Sequence, residues 1–499
     1  MNPAEEVQPD PAALIESMRA FGYSLPTAVA DLVDNSISAG ATDIEVRFEW
    51  GGAQSTVAVV DDGDGMDHPQ LIAAMRLGSR NPTETRAPRD LGRFGLGLKS
   101  AAWSQARSLT VITKQTEQPV LLRRWDLDHV AAEGRWELLS DGGPGATALL
   151  DELATRLHGT VVLLEQPDRL VGAAGVGDDG ARNRFFAAVT AVRGHLGVVF
   201  HRYLIGRDAI RLTVNQHPVK GWDPFLESHT STQALPPERL WLSGRAIDVA
   251  PFVLPHQSRL SEAEHELAAG ARGWNAQQGF YIYRARRLLV AGGWLGLPRT
   301  QREEHLKLAR IRVDLDNSMD AFWQIDVRKA TARIPGALQQ DMQRIARATR
   351  SRASEVYRFR GKQEARQPGT PSSLHFVWQT TRTRDGRSFT VNRDHPTLTA
   401  LRRQSPESRA AVDLTLRLVE EHLPVEAIVL HAQEQPRDTH IPFADGEREV
   451  AEILRSSVLA MINVGASALA AIDALANVEP FGDFPQVVQI LREELENEH

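Results

Sequence analysis

Apolar side chains at Val29, Leu32, Val33 and Ile37 follow helical spacing and predict an α-helix over residues 25–38, closed by Gly40. The period then changes to two. Ile44, Val46, Phe48 and Trp50 alternate with polar residues, as a half-buried strand requires. A second strand at 56–60 runs into the turn-rich Asp61-Asp62-Gly63-Asp64-Gly65. A helix at 70–76 follows, then a polar loop rich in Pro and Arg at 79–90. The segment 92–97 opens another helix that runs through Lys99 and Ala102. Strands at 109–113, 120–125 and 160–164 complete a mixed α/β first domain, assigned to residues 1–170.

A Gly- and Asp-rich stretch at 168–182 reads as a boundary or an exposed loop. A second α/β block is expected over 183–340, with strands at 210–214, 280–283 and 325–327. Residues 341–366 read as a helix with eight basic and three acidic side chains, part of a basic connector and linker spanning 341–372. A mainly helical C-terminal module, 373–499, follows; from Ile441 onward it carries eleven acidic residues against three basic ones.

Composition bounds the chemistry. At 499 residues the chain is long enough for about three domains. A net charge of −7 excludes a uniformly basic nucleic-acid coat. The absence of cysteine excludes disulfides, thiolate metal sites and a cysteine nucleophile. The first residues lack the basic start and apolar run of a signal peptide, and the least polar stretch, 456–477, is broken by Asn463, Gly465 and Asp473. A soluble, cytoplasmic protein with no membrane contact is expected. Of the 57 basic residues only six are lysines, so a single arginine says little and a lysine says more. His195 and His201 are six apart, which suits no metal-binding helix face, and both read as structural.

Four short segments carry candidate chemistry. Asp31 and Asn35 are four residues apart, on one face of the first helix and opposite its apolar row. A carboxylate and an amide so placed can hold a water and a hydrated Mg²⁺, an ion that prefers oxygen. Asp61 closes a strand, where its carboxylate can accept from a purine amino group, and Gly63 and Gly65 let a ligand approach the backbone. A calcium loop fails on register, since it would put Val60 and Leu71 at ligand positions. In Gly92-Arg93-Phe94-Gly95-Leu96-Gly97-Leu98-Lys99-Ser100, glycines precede a helix start and a lysine, a setting that suits phosphate. The order is neither that of a P-loop nor that of a dinucleotide fingerprint. Thr160, after Gly159, adds a hydroxyl within reach of a base-bound water.

Together, in this order, the four segments resemble the motifs of the Bergerat-fold (GHKL) ATPases, the group that includes gyrase B-type topoisomerases, the large heat-shock chaperones, histidine kinases and MutL. The resemblance is nearest to bacterial MutL- and MORC-like proteins. It implies an α+β architecture: a Bergerat-type α/β sandwich, a transducer-type α/β domain and a helical module. It implies ATP and Mg²⁺ as cofactors, with Asn35 as metal ligand and Asp31 as the water-activating base. Asp61, Gly63, Gly65, Met66 and Thr160 would serve the adenine side, and Gly92, Phe94, Gly95, Leu96, Gly97 and Lys99 the phosphates. The segments 278–294 and 325–329 are similar to a transducer domain, in which Lys329 would reach the γ-phosphate.

One departure is that the family's base is usually Glu, and Asp31 is one methylene shorter, so slow turnover is expected. The implied function is an ATP-driven switch that closes as a homodimer on DNA or with DNA-modifying or defence proteins. A chaperone-like ATPase acting on protein clients, and a nucleotide switch without turnover, are the alternatives.

Overall fold

The computed structural model describes residues 9–20, 22–78, 97–298, 300–320, 322–325, 332–358, 377–383, 386–425, 447–476, 478 and 480–497. The chain divides into two compact units, Met1–Gln363 and Glu364–His499.

The first unit holds two sheets. Strands β1 (Asp43–Glu49), β2 (Thr56–Asp61), β3 (Ser108–Lys114), β4 (Leu121–Asp126), β5 (Gly159–Glu165), β6 (Arg211–Val214) and β7 (His217–Pro218) form a seven-stranded sheet in the order β4-β3-β5-β2-β1-β6-β7. All pairs are antiparallel except β1 with β6. Side-chain alternation gives each face its own core. Val57, Val59, Val162 and Leu164 point into the larger core, while Ala58, Val60, Val161 and Leu163 point into a smaller one with Leu153.

Five helices set the frame of the larger core and the site: α1 (Pro11–Arg19), α2 (Leu25–Ser38), α3 (His68–Met75), α4 (Gly97–Trp103) and, further along, the long helix Asp179–Val199. Helix α2 is started by Pro at its first turn and by Ser24, whose hydroxyl accepts from the Thr27 amide. Its apolar Ala28, Val29, Leu32 and Val33 are fully buried against the sheet. Helix α3 carries a capping box between Asp67 and Gln70.

The second sheet contains β8 (Gln233–Ala234), β9 (Glu238–Leu242), β10 (Arg245–Val253), β11 (Gly279–Arg284), β12 (Arg287–Ala291) and β13 (Ala309–Leu315), in the order β12-β11-β13-β10-β8 with β9 also on β10. Phe280 and Ile282 face a core shared with the helix Gln339–Arg358, while Tyr281 and Tyr283 face Trp222, Phe225 and Phe252 on the other side. Trp294 and Trp323 are buried in the first of these cores.

Two expectations change here. The strand expected at 210–214 as part of the second block pairs in parallel with β1, so the first sheet draws on residues well past 183. Of the connector expected at 341–372, residues 359–372 lie outside the described residues, and the part within the helix Gln339–Arg358 packs on the second sheet. Met342, Ile345, Ala346, Ala353 and Val356 seat it in the second core, and Arg344 pairs with Glu238, Arg350 with Glu303 and Arg352 with Glu355. The strand expected at 325–327 falls almost wholly outside the described residues; Ile325 itself is buried.

The second unit has a hairpin, β14 (Trp378–Thr383) with β15 (Gly386–Val391), and the helices Pro396–Arg403, Pro406–Glu421, Glu447–Ile462, Ala468–Leu475 and Pro485–Asn497. Val450, Leu454, Val458, Ile472, Leu475, Phe481 and Leu491 form its core. Among the described residues no helix is long and apolar enough to cross a membrane.

Candidate nucleotide site

Strand pairing builds the first half of the site. Asp61, the last residue of β2, sits opposite Thr160 near the start of β5. Its carboxylate is 3% exposed and accepts three hydrogen bonds: from Ser36 Oγ at 2.7 Å, the Gly63 amide at 2.9 Å and the Thr160 amide at 3.2 Å. Burial pushes the Asp61 carboxyl above its ordinary value, and the Ser36, Gly63 and Thr160 donors oppose that shift. A carboxylate offers about four lone-pair sites, so three donors leave room for one more, the demand of a purine amino group.

Hydroxyls continue this network. Thr113 Oγ1 lies 3.1 Å from Thr160 Oγ1, accepts from the Met66 amide at 2.9 Å and lies 3.3 Å from the Gly159 carbonyl. His158 Nδ1 is 2.8 Å from the Gly63 carbonyl and closes the loop over the strand ends. The glycines also have a role within the chain itself. A Cβ on Gly65, at φ +69°, would lie 2.0 Å from the Lys114 carbonyl oxygen, and one on Gly63 would lie 2.9 Å from Ala39 Cβ. They are required by the chain's own close packing, whatever a ligand does.

Helix α2 supplies the second half. Asn35 is exposed, and Asp34 and Ser36 beside it are buried. Asp31 is buried too, at 3% exposure, where the sequence had placed it on an open face. The reason is Arg287 at the start of β12. Its Nε donates to Asp34 Oδ1 at 2.7 Å and its Nη2 to Asp31 Oδ1 at 3.3 Å, and the guanidinium is itself 3% exposed. Two carboxylates and a cation are buried together, an arrangement that tolerates burial only because each charge has a partner.

Of the phosphate-side residues, Gly97 opens α4, and Lys99 is buried with Nζ 2.8 Å from the Ala74 carbonyl at the end of α3. Gly92, Phe94, Gly95, Leu96 and Lys329 lie outside the described residues. Among the described residues there is no group of three or more His, Asp or Glu side chains arranged to hold a metal. The exposed side chain of Asn35 offers an amide oxygen that would suit Mg²⁺, an ion that usually takes one or two protein oxygens and draws the rest from phosphates and water.

Sequence reasoning gave no role to Asp34, Ser36, Thr113 or Arg287, and had His158 only as the opening residue of the fourth motif. Ser36 and Asp34 flank Asn35, and Thr113 is a polar end to an apolar strand, so those two signals were present. Arg287 stands in Arg284-Ala285-Arg286-Arg287, a run that an arginine-rich composition makes unremarkable by itself. His195 and His201 are structural in their surroundings. His201 Nε2 lies 2.7 Å from the Tyr283 hydroxyl, and burial pushes His195 down to about 4 and His201 down to about 3.

Residues 23–160 match the family described as histidine kinase-, DNA gyrase B-, and HSP90-like ATPase. The chain is similar to ATPase morc-1 of Caenorhabditis elegans, 33% identical over 89 residues, which cover 18% of this chain and 10% of that protein. It is 34% identical over 91 residues to the DNA mismatch repair protein MutL of Streptococcus sanguinis, covering 18% of this chain and 14% of the relative. The MutL of Paramagnetospirillum magneticum is 34% identical over 118 residues, 23% of this chain and 17% of the relative. The chain thus spans less than a fifth of the length of each of these relatives. With the mixed sheet, the Asp61–Thr160 pairing and helix α2 in place, it is over residues 23–160 that the chain is similar to the histidine kinase-, DNA gyrase B- and HSP90-like ATPases.

Proposed function

We propose that this protein is a Mg²⁺-dependent ATP-binding and ATP-hydrolysing switch that closes as a homodimer when ATP is bound. In this reading it acts in the cytoplasm on DNA or with DNA-modifying or defence proteins. The observation that carries the reading is the buried Asp61 carboxylate with three donors and one remaining acceptor position, backed by the Thr160 and Thr113 hydroxyls. Asp61 orients the purine through its amino group, with Thr160 and the 63–66 turn beside it. The amides from Gly92, Phe94, Gly95, Leu96 and Gly97, together with Lys99, take the phosphates. Bound Mg²⁺, held on the protein side by Asn35, supplies charge neutralisation at the phosphates. Asp31 accepts the proton of the attacking water, and Lys329 reaches the terminal phosphate. The similarity to ATPase morc-1 and to MutL, named as a DNA mismatch repair protein, supports the DNA side of the proposal.

Titration of the purified chain with ATP, with and without Mg²⁺, is the test, scored for phosphate release and for mass by light scattering. Slow Mg²⁺-dependent release with a monomer-to-dimer shift is expected, stimulated by added DNA. Asp31→Ala is expected to lower release by about 100-fold or more while ATP still binds. Unchanged release in that variant would remove Asp31 from the base role. The pairing of Asp31 with Arg287 favours a second reading, a nucleotide switch without turnover. Dimerisation on ATP with no phosphate release at any Mg²⁺ concentration would select it.

A further inference from the structure

The β11–β12 hairpin is built at a conformational cost. Its two central residues, Ala285 and Arg286, have φ of +45° and +72°, the left-handed region that favours glycine. Such a backbone persists where its surroundings over-determine it, and here they do. Arg284 makes a buried ion pair with Asp320. The Tyr203 hydroxyl donates to the Ala285 carbonyl, and Arg286 donates to the Arg202 carbonyl while its guanidinium stands 4.8 Å from the Tyr203 ring centre. Every residue of the turn is therefore committed, and the next one, Arg287, is delivered to helix α2 across more than 250 positions of sequence.

At that end the contacts are unequal. The Asp34 bond, 2.7 Å to Nε, fixes the guanidinium, and the Asp31 bond, 3.3 Å from Nη2, follows from it. The Phe200 ring, 5.8 Å from the guanidinium carbon, limits the remaining freedom. A planar guanidinium held at one edge presents its other donors in a set direction. Asp31 has a shorter side chain than the Glu usual at this place, so its carboxylate depends more on an external group for its direction.

We propose that Arg287 is a positioning residue for Asp31: clamped by Asp34, it sets the direction of the Asp31 carboxylate and ties the competence of the hydrolytic site to the seating of the β11–β12 hairpin. The inference rests on the reading of Asp31 as the water-activating residue. Asp34 is then the anchor of the clamp, and any movement of the second sheet that shifts the hairpin also re-aims Asp31.

The test compares Arg287→Ala, Arg287→Lys, Asp31→Ala and the Arg287→Ala/Asp31→Ala double variant in the full chain, by ATP affinity and steady-state phosphate release. Arg287→Ala is expected to lower kcat by about 10- to 100-fold, the cost of a misdirected catalytic group, with ATP affinity within about threefold of wild type. Arg287→Lys, which keeps the charge but not the planar fork, is expected to fall between them and serves if the alanine variant does not fold. The double variant is expected to be no slower than Asp31→Ala alone, because two residues acting as one unit are not additive. Unchanged or faster release in Arg287→Ala, or losses that multiply in the double variant, would overturn the proposal. If the wild-type chain releases no phosphate, the hydrolytic reading fails and takes the inference with it; if the wild type turns over and Arg287→Ala matches it, the inference alone fails.

Discussion

The two ends of the candidate site are built in opposite ways. At the Asp61 end, all the partners come from adjoining strands of one sheet and the helix over it: Ser36, Gly63, Thr113, Thr160 and His158. At the Asp31 end, the decisive partner, Arg287, comes from a different sheet. An end made within one sheet holds its geometry as long as that sheet is folded. An end completed from a second sheet changes whenever the two sheets move relative to each other. On the proposed function, nucleotide binding at Asp61 and chemistry at Asp31 would rest on separable structures, the first on the seven-stranded sheet with its helices and the second on the junction of that sheet with β11 and β12.

The first test breaks the binding end and leaves the other intact. Asp61→Asn keeps the side-chain shape but replaces one acceptor oxygen with a donor, and is expected to weaken ATP binding by about 10- to 100-fold, the worth of a hydrogen bond to a charged group. Isothermal titration with ATP measures it, and an unchanged affinity would show that the purine is not anchored at Asp61.

Acid separates the ends next. Burial, helped by the Arg287 charge, holds His195 down to about 4, and burial with Arg202 and Arg312 holds His201 down to about 3. The unfolded chain protonates these rings from about pH 6.5 downward while the folded chain does not. Stability at the hairpin end is therefore expected to fall as pH drops, by about 1 kcal/mol per ring at pH 5.5 and about 3 kcal/mol per ring at pH 4. Asp61 works in the other direction: burial raises its carboxyl, so the folded chain takes up that proton more readily than the unfolded one, and acid there favours the fold while removing a charged acceptor. Urea unfolding between pH 7.5 and 5 checks this. His195→Gln and His201→Gln are each expected to flatten the slope, and a slope unchanged in both would refute the assignment.

The smallest effect sharpens the account of the hairpin. Ala285→Gly removes a Cβ from a left-handed position, φ +45°, and leaves the Ala285 carbonyl that Tyr203 uses. A gain of about 0.5–1 kcal/mol in folding stability is expected, the relief of strain less the added freedom of the unfolded chain. Chemical denaturation measures it, and a loss of stability would mean the turn is not strained.

Local elements were the legible part of this molecule. The helix at 25–38, the strands at 56–60, 109–113, 120–125 and 160–164 and the glycine-marked turn after Asp61 follow from period, β-branched content and turn residues, and the structure has each within two residues. Four motifs in order carried the resemblance, because each motif is short and legible from its own residues. At Gly63 and Gly65 a glycine signals close approach, and only the fold shows that Ala39 and the Lys114 carbonyl are among the approaching atoms.

What the sequence determined by itself was therefore the set of pieces, the two periodicities and the four motif segments, since those depend on residues within a few positions of one another. Tertiary structure alone decided that β6 joins the first sheet, that the arginine-rich helix belongs to the second core, and that Asp31 is buried beside Arg287. Those outcomes join residues far apart in the chain. Burial of a carboxylate is decided by the free energy of the whole pocket, by desolvation against the attraction of a cation that no local pattern announces. In a chain with fifty-one arginines, the one that reaches Asp31 is identified by where the β11–β12 hairpin lands.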